Sequence, residues 1–142
     1  MTEAGCATDR ATEKIRVLLV DDHRLMRQTL AEVLSAEDDL IVVGECDDGS
    51  QVVQAAARLR PDVVFMDVRM PGVDGMSATQ ALHAAQSEAR VIVLTAEGSG
   101  IRPKAAAAGA HAVVPKEVRL GALLRCLRAV AHGDGGGCPY CI

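Results

Sequence analysis

The sequence predicts an α/β fold in which five parallel strands form one doubly wound sheet covered by five helices. Short aliphatic runs alternate five times with segments of helical periodicity along residues 15–132. Three of the runs are almost continuously aliphatic, which is typical of parallel strands covered on both faces. Right-handed crossovers then favour the strand order 2-1-3-4-5, with the switch point between the first and third strands.

The strands are predicted where aliphatic runs end at polar or turn residues: Ile15–Val20, Leu40–Gly44, Val63–Met66, Val91–Thr95 and Ala112–Val114. The helices are predicted from apolar residues at helical spacing or from alanine-rich composition: His23–Ser35, Ser50–Arg60, Gly75–Ser87, Arg102–Ala108 and Val118–His132. Pro61 stops the second helix, because the residue before a proline disfavours helical geometry. The fourth helix contains four successive alanines with little side chain to anchor it, so we expect it to be the loosest element. The whole arrangement is flavodoxin-like.

Composition limits the class of protein. The 142 residues suit one domain, and the 49% hydrophobic and 1% aromatic content predicts an aliphatic core. A net charge of −4 argues against a nucleic-acid-binding surface, and no apolar run reaches the roughly 20 residues of a membrane helix. We therefore expect a cytoplasmic protein with a flexible leader at 1–14, one domain at 15–132 and a flexible, glycine-rich tail at 133–142.

Acidic residues follow the first and third predicted strands. Asp21 and Asp22 come after the first strand, and Asp67 comes after the third. The carboxyl ends of parallel strands share one rim of the sheet, where ligands bind. Three carboxylates at one rim repel each other by roughly 4 kcal/mol per pair at 4 Å and an effective dielectric of ~20, so a cation is expected. Oxygen-only ligands suit a hard ion such as Mg²⁺.

Two further residues are candidates to complete a phosphoryl-transfer site at the same rim. Thr95 ends the fourth strand, and Lys116 follows the fifth. Asp67 is the candidate phosphoacceptor, since a carboxylate can take a phosphoryl group as an acyl phosphate. Thr95 and Lys116 are candidates to contact the phosphoryl oxygens. The simpler interpretations are a helix cap for Asp22, a turn residue for Asp67, a β-branched strand end for Thr95 and a solvated lysine for Lys116.

Four stretches in order make the chain similar to the receiver domains of response regulators, over roughly residues 15–132. The stretch VVFMDVRMPGVDGM resembles the core signature of the family, and LLVDDHRLMRQTL resembles its first strand and acidic pair. VIVLTAE resembles the strand that ends in Ser or Thr, and GAHAVVPKE resembles the lysine strand. The DDH start and VVGECDDG most resemble the NarL-type class, whose usual output is a LuxR-type helix-turn-helix.

The resemblance implies a role for each site residue. Asp67 would accept a phosphoryl group from a sensor histidine kinase or a phosphotransfer protein. Asp22, Asp67 and the backbone carbonyl of Arg69 would bind Mg²⁺, with Asp21 contributing through water. Thr95 and Lys116 would contact the phosphoryl oxygens. The protein would then act as a signalling domain rather than a turnover enzyme.

The chain departs from the family pattern in several respects, of which two bear most on its output. The aromatic switch residue that usually lies three positions before the lysine is replaced by Val113, which has no ring to turn inward. The helix-turn-helix of a NarL-type regulator would need about 60 residues beyond Ile142, so the chain is expected to be either a stand-alone receiver or part of a longer protein. The family's use of its fourth helix, fifth strand and fifth helix for signalling predicts a weak homodimer through the small-residue side of the fifth helix, formed by Ala122, Cys126 and Ala129.

The tail carries a separate motif, Cys138-Pro139-Tyr140-Cys141. It matches the glutaredoxin active-site motif, but that motif works at the start of a helix, and none is predicted to follow here. A reversible disulfide or metal binding by the cysteine pair is the preferred functional interpretation, and an unstructured tail is the simpler one. Two cysteines alone do not complete a zinc site, which needs four ligands.

Two other functions compete with a phosphorylated receiver. One is a protein-interaction module on the same fold that works without phosphate, which Val113 and the short fourth helix favour. The other is a haloacid-dehalogenase-like phosphatase, which needs a second aspartate two residues after the nucleophile. Arg69 occupies that position, so the phosphatase is discounted.

Overall fold

The computed structural model describes residues 14–70, 72–96, 99–133 and 138–142. In them, five parallel strands form one sheet in the order β2-β1-β3-β4-β5, which confirms the predicted fold class and strand order. The strands are β1 Ile15–Val20, β2 Leu40–Cys46, β3 Val63–Asp67, β4 Arg90–Thr95 and β5 Ala112–Pro115. The leader predicted at 1–14 lies outside the described residues, apart from Lys14.

Five α-helices of the described residues connect or follow the strands: α1 Arg24–Ser35, α2 Val52–Leu59, α3 Gly75–Ala84, α4 Arg102–Ala108 and α5 Leu120–Ala131. Most are shorter than predicted because other turns replace their ends. Gly49–Gln51 forms a 3-10 turn ahead of α2, and Arg60 leaves α2 with a φ of 50° before Pro61. No described helix is both long and apolar enough to cross a lipid bilayer.

The helices cover the sheet in two layers, each with its own apolar core. On one face, buried residues of α2, α3 and α4 such as Val52, Leu82 and Ala105 pack against the sheet. On the other face, α1 and α5 contribute Leu34 and Leu127, which pack in one cluster with Phe65 of β3. Every residue of β3 is buried. This double coverage is why the central strands are aliphatic without alternation, and it fixes their carboxyl ends at one rim.

Residues 138–142, here called the C-terminal segment, are hydrogen-bonded to β5 and α4 rather than free as predicted for the tail. The Val113 N–H donates to the Tyr140 carbonyl at 3.0 Å, and the Ile142 N–H donates to the His111 carbonyl at 2.9 Å. The Arg102 guanidinium donates to the carbonyls of Tyr140 and Cys141. Of the predicted tail, residues 134–137 lie outside the described residues.

The C-terminal segment also changes the expectation for α5. A cavity is lined jointly by Ala122, Cys126 and Ala129 of α5 and by Cys138, Pro139 and Tyr140. The small-residue side that was predicted to meet a second copy therefore faces the chain's own C-terminal segment. The Cys141 N–H donates to the Cys138 carbonyl at 3.3 Å, so the four-residue motif forms a turn rather than the start of a helix.

Candidate functional site

The three predicted carboxylates meet at the carboxyl ends of β1 and β3. Asp67 is the last residue of β3, and Asp21 follows β1 directly. The pairing of Val20 with Met66 in the sheet brings these two positions side by side. One oxygen each from Asp21, Asp22 and Asp67 and a ring nitrogen of His23 all lie within 4.8 Å of one another. The predicted acidic cluster therefore forms at the predicted rim.

Lys116 reaches the same cluster from β5. Its Nζ lies 2.9 Å from Oδ1 of Asp67, which is almost fully buried. The Lys116 N–H donates to the Thr95 carbonyl at 2.9 Å, and this bond continues the pairing of Thr95 with Pro115. The ends of β4 and β5 thus position the ammonium group beside the carboxylate. The predicted proximity of Lys116 and Asp67 is observed.

Burial dominates the electrostatics of Asp67. Burial raises the pKa of its carboxyl above the ordinary value, the ion pair with Lys116 lowers that pKa by less, and the nearby charge of Asp21 raises it further. Lys116 therefore offsets only part of the cost of holding a charged carboxylate here. A bound cation would offset more of that cost.

Buried carboxylate oxygens without hydrogen-bond partners show where such a cation would fit. Oδ2 of Asp21 and Oδ2 of Asp67 are buried and have no hydrogen-bond partner among the described residues. Asp22 Oδ1 lies 3.2 Å from His23 Nδ1 but makes no hydrogen bond. Buried carboxylate oxygens without donors are costly, and a hard divalent ion satisfies several of them together. The three carboxylates and their burial therefore fit Mg²⁺.

Thr95, Arg69 and Val113 are the remaining predicted residues. Thr95 is buried at the end of β4, at the same rim as Asp67. Arg69 lies two residues after Asp67 with an exposed side chain, and the role of its carbonyl stays a prediction. Val113 is buried in the core beneath α4, and its N–H is bound to the C-terminal segment.

Two residues at the site were missed in the sequence analysis. His23 precedes α1, and its ring Nδ1 lies 3.2 Å from Asp21 Oδ1, where the sequence pattern indicated only the start of a helix. Gly75 begins α3 so close to β3 that an added Cβ would overlap the Asp67 carbonyl oxygen. The Gly75 N–H also donates to the Val68 carbonyl at 3.0 Å. In the sequence, this close approach of α3 to β3 is indicated by a glycine directly after Asp74, which caps α3.

The raised pKa of Asp67 predicts how stability depends on pH in the absence of Mg²⁺. Asp67→Asn should raise the free energy of unfolding at neutral pH, because it removes a charge that folding places in an unfavourable setting. This gain in the free energy of unfolding should reach its full value above the folded-state pKa of Asp67. It should vanish below the ordinary carboxyl pKa, where protonation removes the charge. Urea unfolding at several pH values from neutrality to about 3 measures it. The exposed Asp38→Asn is the control, and a gain independent of pH would contradict the assignment.

Comparison with known proteins agrees with this geometry. Residues 17–128 match the family model described as the response regulator receiver domain. The transcriptional regulatory protein LiaR of Bacillus subtilis is 38% identical over 122 residues, which cover 84% of this chain and 57% of LiaR. The response regulator GacA of Pseudomonas viridiflava is 38% identical over 121 residues, covering 84% of this chain and 56% of GacA. The chain thus spans a little over half the length of these relatives.

Solved structures give the same result. A LuxR-family two-component response regulator from Aurantimonas sp. SI85-9A1 has a TM-score of 0.82 at 29% identity, covering 89% of this chain and 91% of that one. The response regulator domain of Thermotoga maritima CheB has a TM-score of 0.77 at 32% identity, covering 84% and 98%. With the family model matching most of its length, the chain belongs to the response regulator receiver domains.

Proposed function

We propose that this protein is a phosphoacceptor receiver that takes a phosphoryl group onto Asp67 from a phosphohistidine of a sensor histidine kinase or phosphotransfer protein. The carrying observation is the buried Asp67 carboxylate, with one oxygen on the Lys116 ammonium and the other unpartnered. Transfer breaks the nitrogen–phosphorus bond of the donor and forms an oxygen–phosphorus bond to Asp67. The donor imidazole leaves with the bonding electron pair.

The protein's contribution to this step is positioning and neutralisation of charge. Lys116 holds the acceptor carboxylate in place and faces the negative charge that the phosphoryl group brings. Thr95 at the adjacent strand end supplies a hydroxyl at the same rim. Mg²⁺, held by Asp22, Asp67 and the Arg69 carbonyl with Asp21 contributing through water, would neutralise charge on the phosphoryl oxygens.

Intact mass spectrometry after incubation with acetyl phosphate tests the proposal directly. The wild-type protein should gain one phosphoryl group with Mg²⁺ present and none after chelation. Asp67→Asn should gain none, while the exposed Asp38→Asn should behave as wild type. Lys116→Ala should be slower by at least about tenfold, since charge stabilisation at such sites contributes several kcal/mol. Equal phosphorylation of Asp67→Asn would refute the acceptor assignment.

We also propose, from the resemblance to the receiver family, that the output passes through the face formed by α4, β5 and α5 to a partner or to a DNA-binding domain on the same polypeptide. This chain itself is not proposed to bind DNA. Val113 favours one alternative, a module on the same fold that binds its partner without phosphate, because an aliphatic residue lies buried at the switch position. Equal partner binding by wild type and Asp67→Asn, despite phosphorylation of the wild type, would favour that alternative.

A further inference from the structure

Three cysteine thiols lie close together. They come later in the sequence than the acidic residues of the rim, and they offer sulfur rather than oxygen ligands. Cys126 of α5 is almost completely buried, and Cys138 and Cys141 of the C-terminal segment are half-buried beside it. Their Sγ atoms all lie within 4.8 Å of one another, and all three cysteines are free thiols. The paired motif singled out in the sequence therefore has a third sulfur, supplied by a helix.

Independent anchors hold these sulfurs in place. Cys126 is fixed by the packing of α5 on the sheet. The C-terminal segment is fixed by the Val113 N–H on the Tyr140 carbonyl and by the Arg102 guanidinium on the Tyr140 and Cys141 carbonyls. Because neither anchor depends on the sulfurs themselves, the donor set is preorganised before any ligand binds.

The thiols also interact with each other. Burial raises the pKa of the Cys138 thiol, but hydrogen bonds with Cys141, the nearby backbone and Cys126 lower it by more, so its net pKa lies below the ordinary value. Burial raises the pKa of Cys141 to about 11 and raises that of Cys126 as well. These mutual hydrogen bonds agree with the close approach of the three Sγ atoms.

We propose that Cys126, Cys138 and Cys141 form a binding site for a thiophilic metal ion, Zn²⁺, with the fourth position left to water. A tetrahedral zinc site with Zn–S bonds of about 2.3 Å places its sulfurs roughly 3.8 Å apart, which is compatible with Sγ atoms that all lie within 4.8 Å of one another. Among the residues that the structure describes, no fourth His, Cys, Asp or Glu joins the group. Binding exchanges the thiol protons for the ion.

Charge and access favour Zn²⁺ over Cu(I), the other ion that thiolates select. Three thiolates carry three negative charges, so a dication leaves one in a partly buried setting, whereas Cu(I) leaves two. The cavity of about 330 Å³ at the site, lined by Arg125, Pro139 and Tyr140 among others, gives the ion a path from solvent and room for the water ligand. The arrangement is a three-ligand site with an open position, not a closed structural one.

Zinc competition with a chromophoric chelator tests the proposal, using the full chain reduced with a phosphine. One equivalent of Zn²⁺ should bind, and excess Mg²⁺ should not displace it. Cys126→Ser, Cys138→Ser and Cys141→Ser should each lose more affinity than the roughly 10–100-fold typical of losing an outer-shell partner. Cys46→Ala, which removes a free cysteine at the end of β2, should keep the wild-type affinity.

A Co²⁺ substitution separates the three-sulfur site from a two-sulfur one. Its thiolate charge-transfer absorbance should fall by about one third in each serine variant that still binds. Binding of Cys126→Ser at wild-type affinity would overturn the proposal, as would Cu(I) uptake without Zn²⁺ uptake, or no uptake by reduced protein. If Cys126→Ser does not fold, the half-exposed Cys138 and Cys141 variants still decide the question, since circular dichroism can verify their folding. Phosphorylation at Asp67 is measured separately, so failure of either proposal leaves the other intact.

Discussion

Mg²⁺ at about 100 times its dissociation constant is expected to raise the melting temperature of the wild-type protein by about 10 °C and that of Asp22→Asn very little. An ion that binds only the folded state stabilises it by ~2.7 kcal/mol at 100 times its dissociation constant. For a domain of this size, that free energy corresponds to roughly 10 °C. The physical source is the unpartnered oxygens of Asp21 and Asp67 and the raised pKa of Asp67.

Differential scanning fluorimetry over a Mg²⁺ titration measures this shift. Asp22→Asn removes one anionic ligand and part of the like-charge repulsion, so without Mg²⁺ the variant should melt at or above the wild-type temperature. Asp38→Asn changes the net charge equally but lies in an exposed loop, so it should retain the full response to Mg²⁺. If millimolar Mg²⁺ leaves the wild-type melting temperature unchanged, a functional metal site at the rim is excluded.

Gly75→Ala is expected to destabilise the protein by about 1–3 kcal/mol or more and to slow phosphorylation of Asp67. The new Cβ would overlap the carbonyl oxygen of Asp67, and that oxygen belongs to the central strand. A flexible side chain could move aside, but here either α3 or the end of β3 has to shift. The same displacement moves the acceptor carboxylate relative to Lys116.

Gly121→Ala is the matched control, because Gly121 also lies in the first turn of a helix. Its added Cβ would lie 3.7 Å from Arg125 and meet nothing else within 4 Å. Alanine is the better helix former, so this variant should gain about 0.5–1 kcal/mol. Chemical denaturation and the rate of acetyl phosphate labelling report both effects. Wild-type behaviour of Gly75→Ala would show that α3 can move without cost.

The rim was predictable from the sequence because strand periodicity and topology alone determine it. One continuous aliphatic run ends just before Asp21, and another ends just before Asp67. Both carboxylates therefore lie at strand ends, independent of local side-chain conformation. Lys116 follows from the same reasoning applied to β5. The elements whose ends were misplaced, such as α2 and α3, differ at positions where 3-10 turns and left-handed residues replace regular helix.

Contacts between remote segments could not be predicted in this way. The C-terminal segment has too few residues to show any period, and its glycine-rich approach indicated a flexible tail. Its bonds to Val113, His111 and Arg102 join residues that are distant along the chain. The position of Cys126 beside Cys138 and Cys141 follows from those bonds, so the third sulfur was hidden as well.

The bond from Val113 to Tyr140 has a further consequence, because β5 is one of the two edge strands of the sheet. An outermost strand presents backbone groups that another chain can pair with, which promotes aggregation. The antiparallel bridge between Ala112 and Cys141 occupies that position with the protein's own backbone. Any partner that adds a strand to β5 must first displace residues 138–142. These residues therefore protect the edge of the sheet and raise the free-energy cost of adding a strand there.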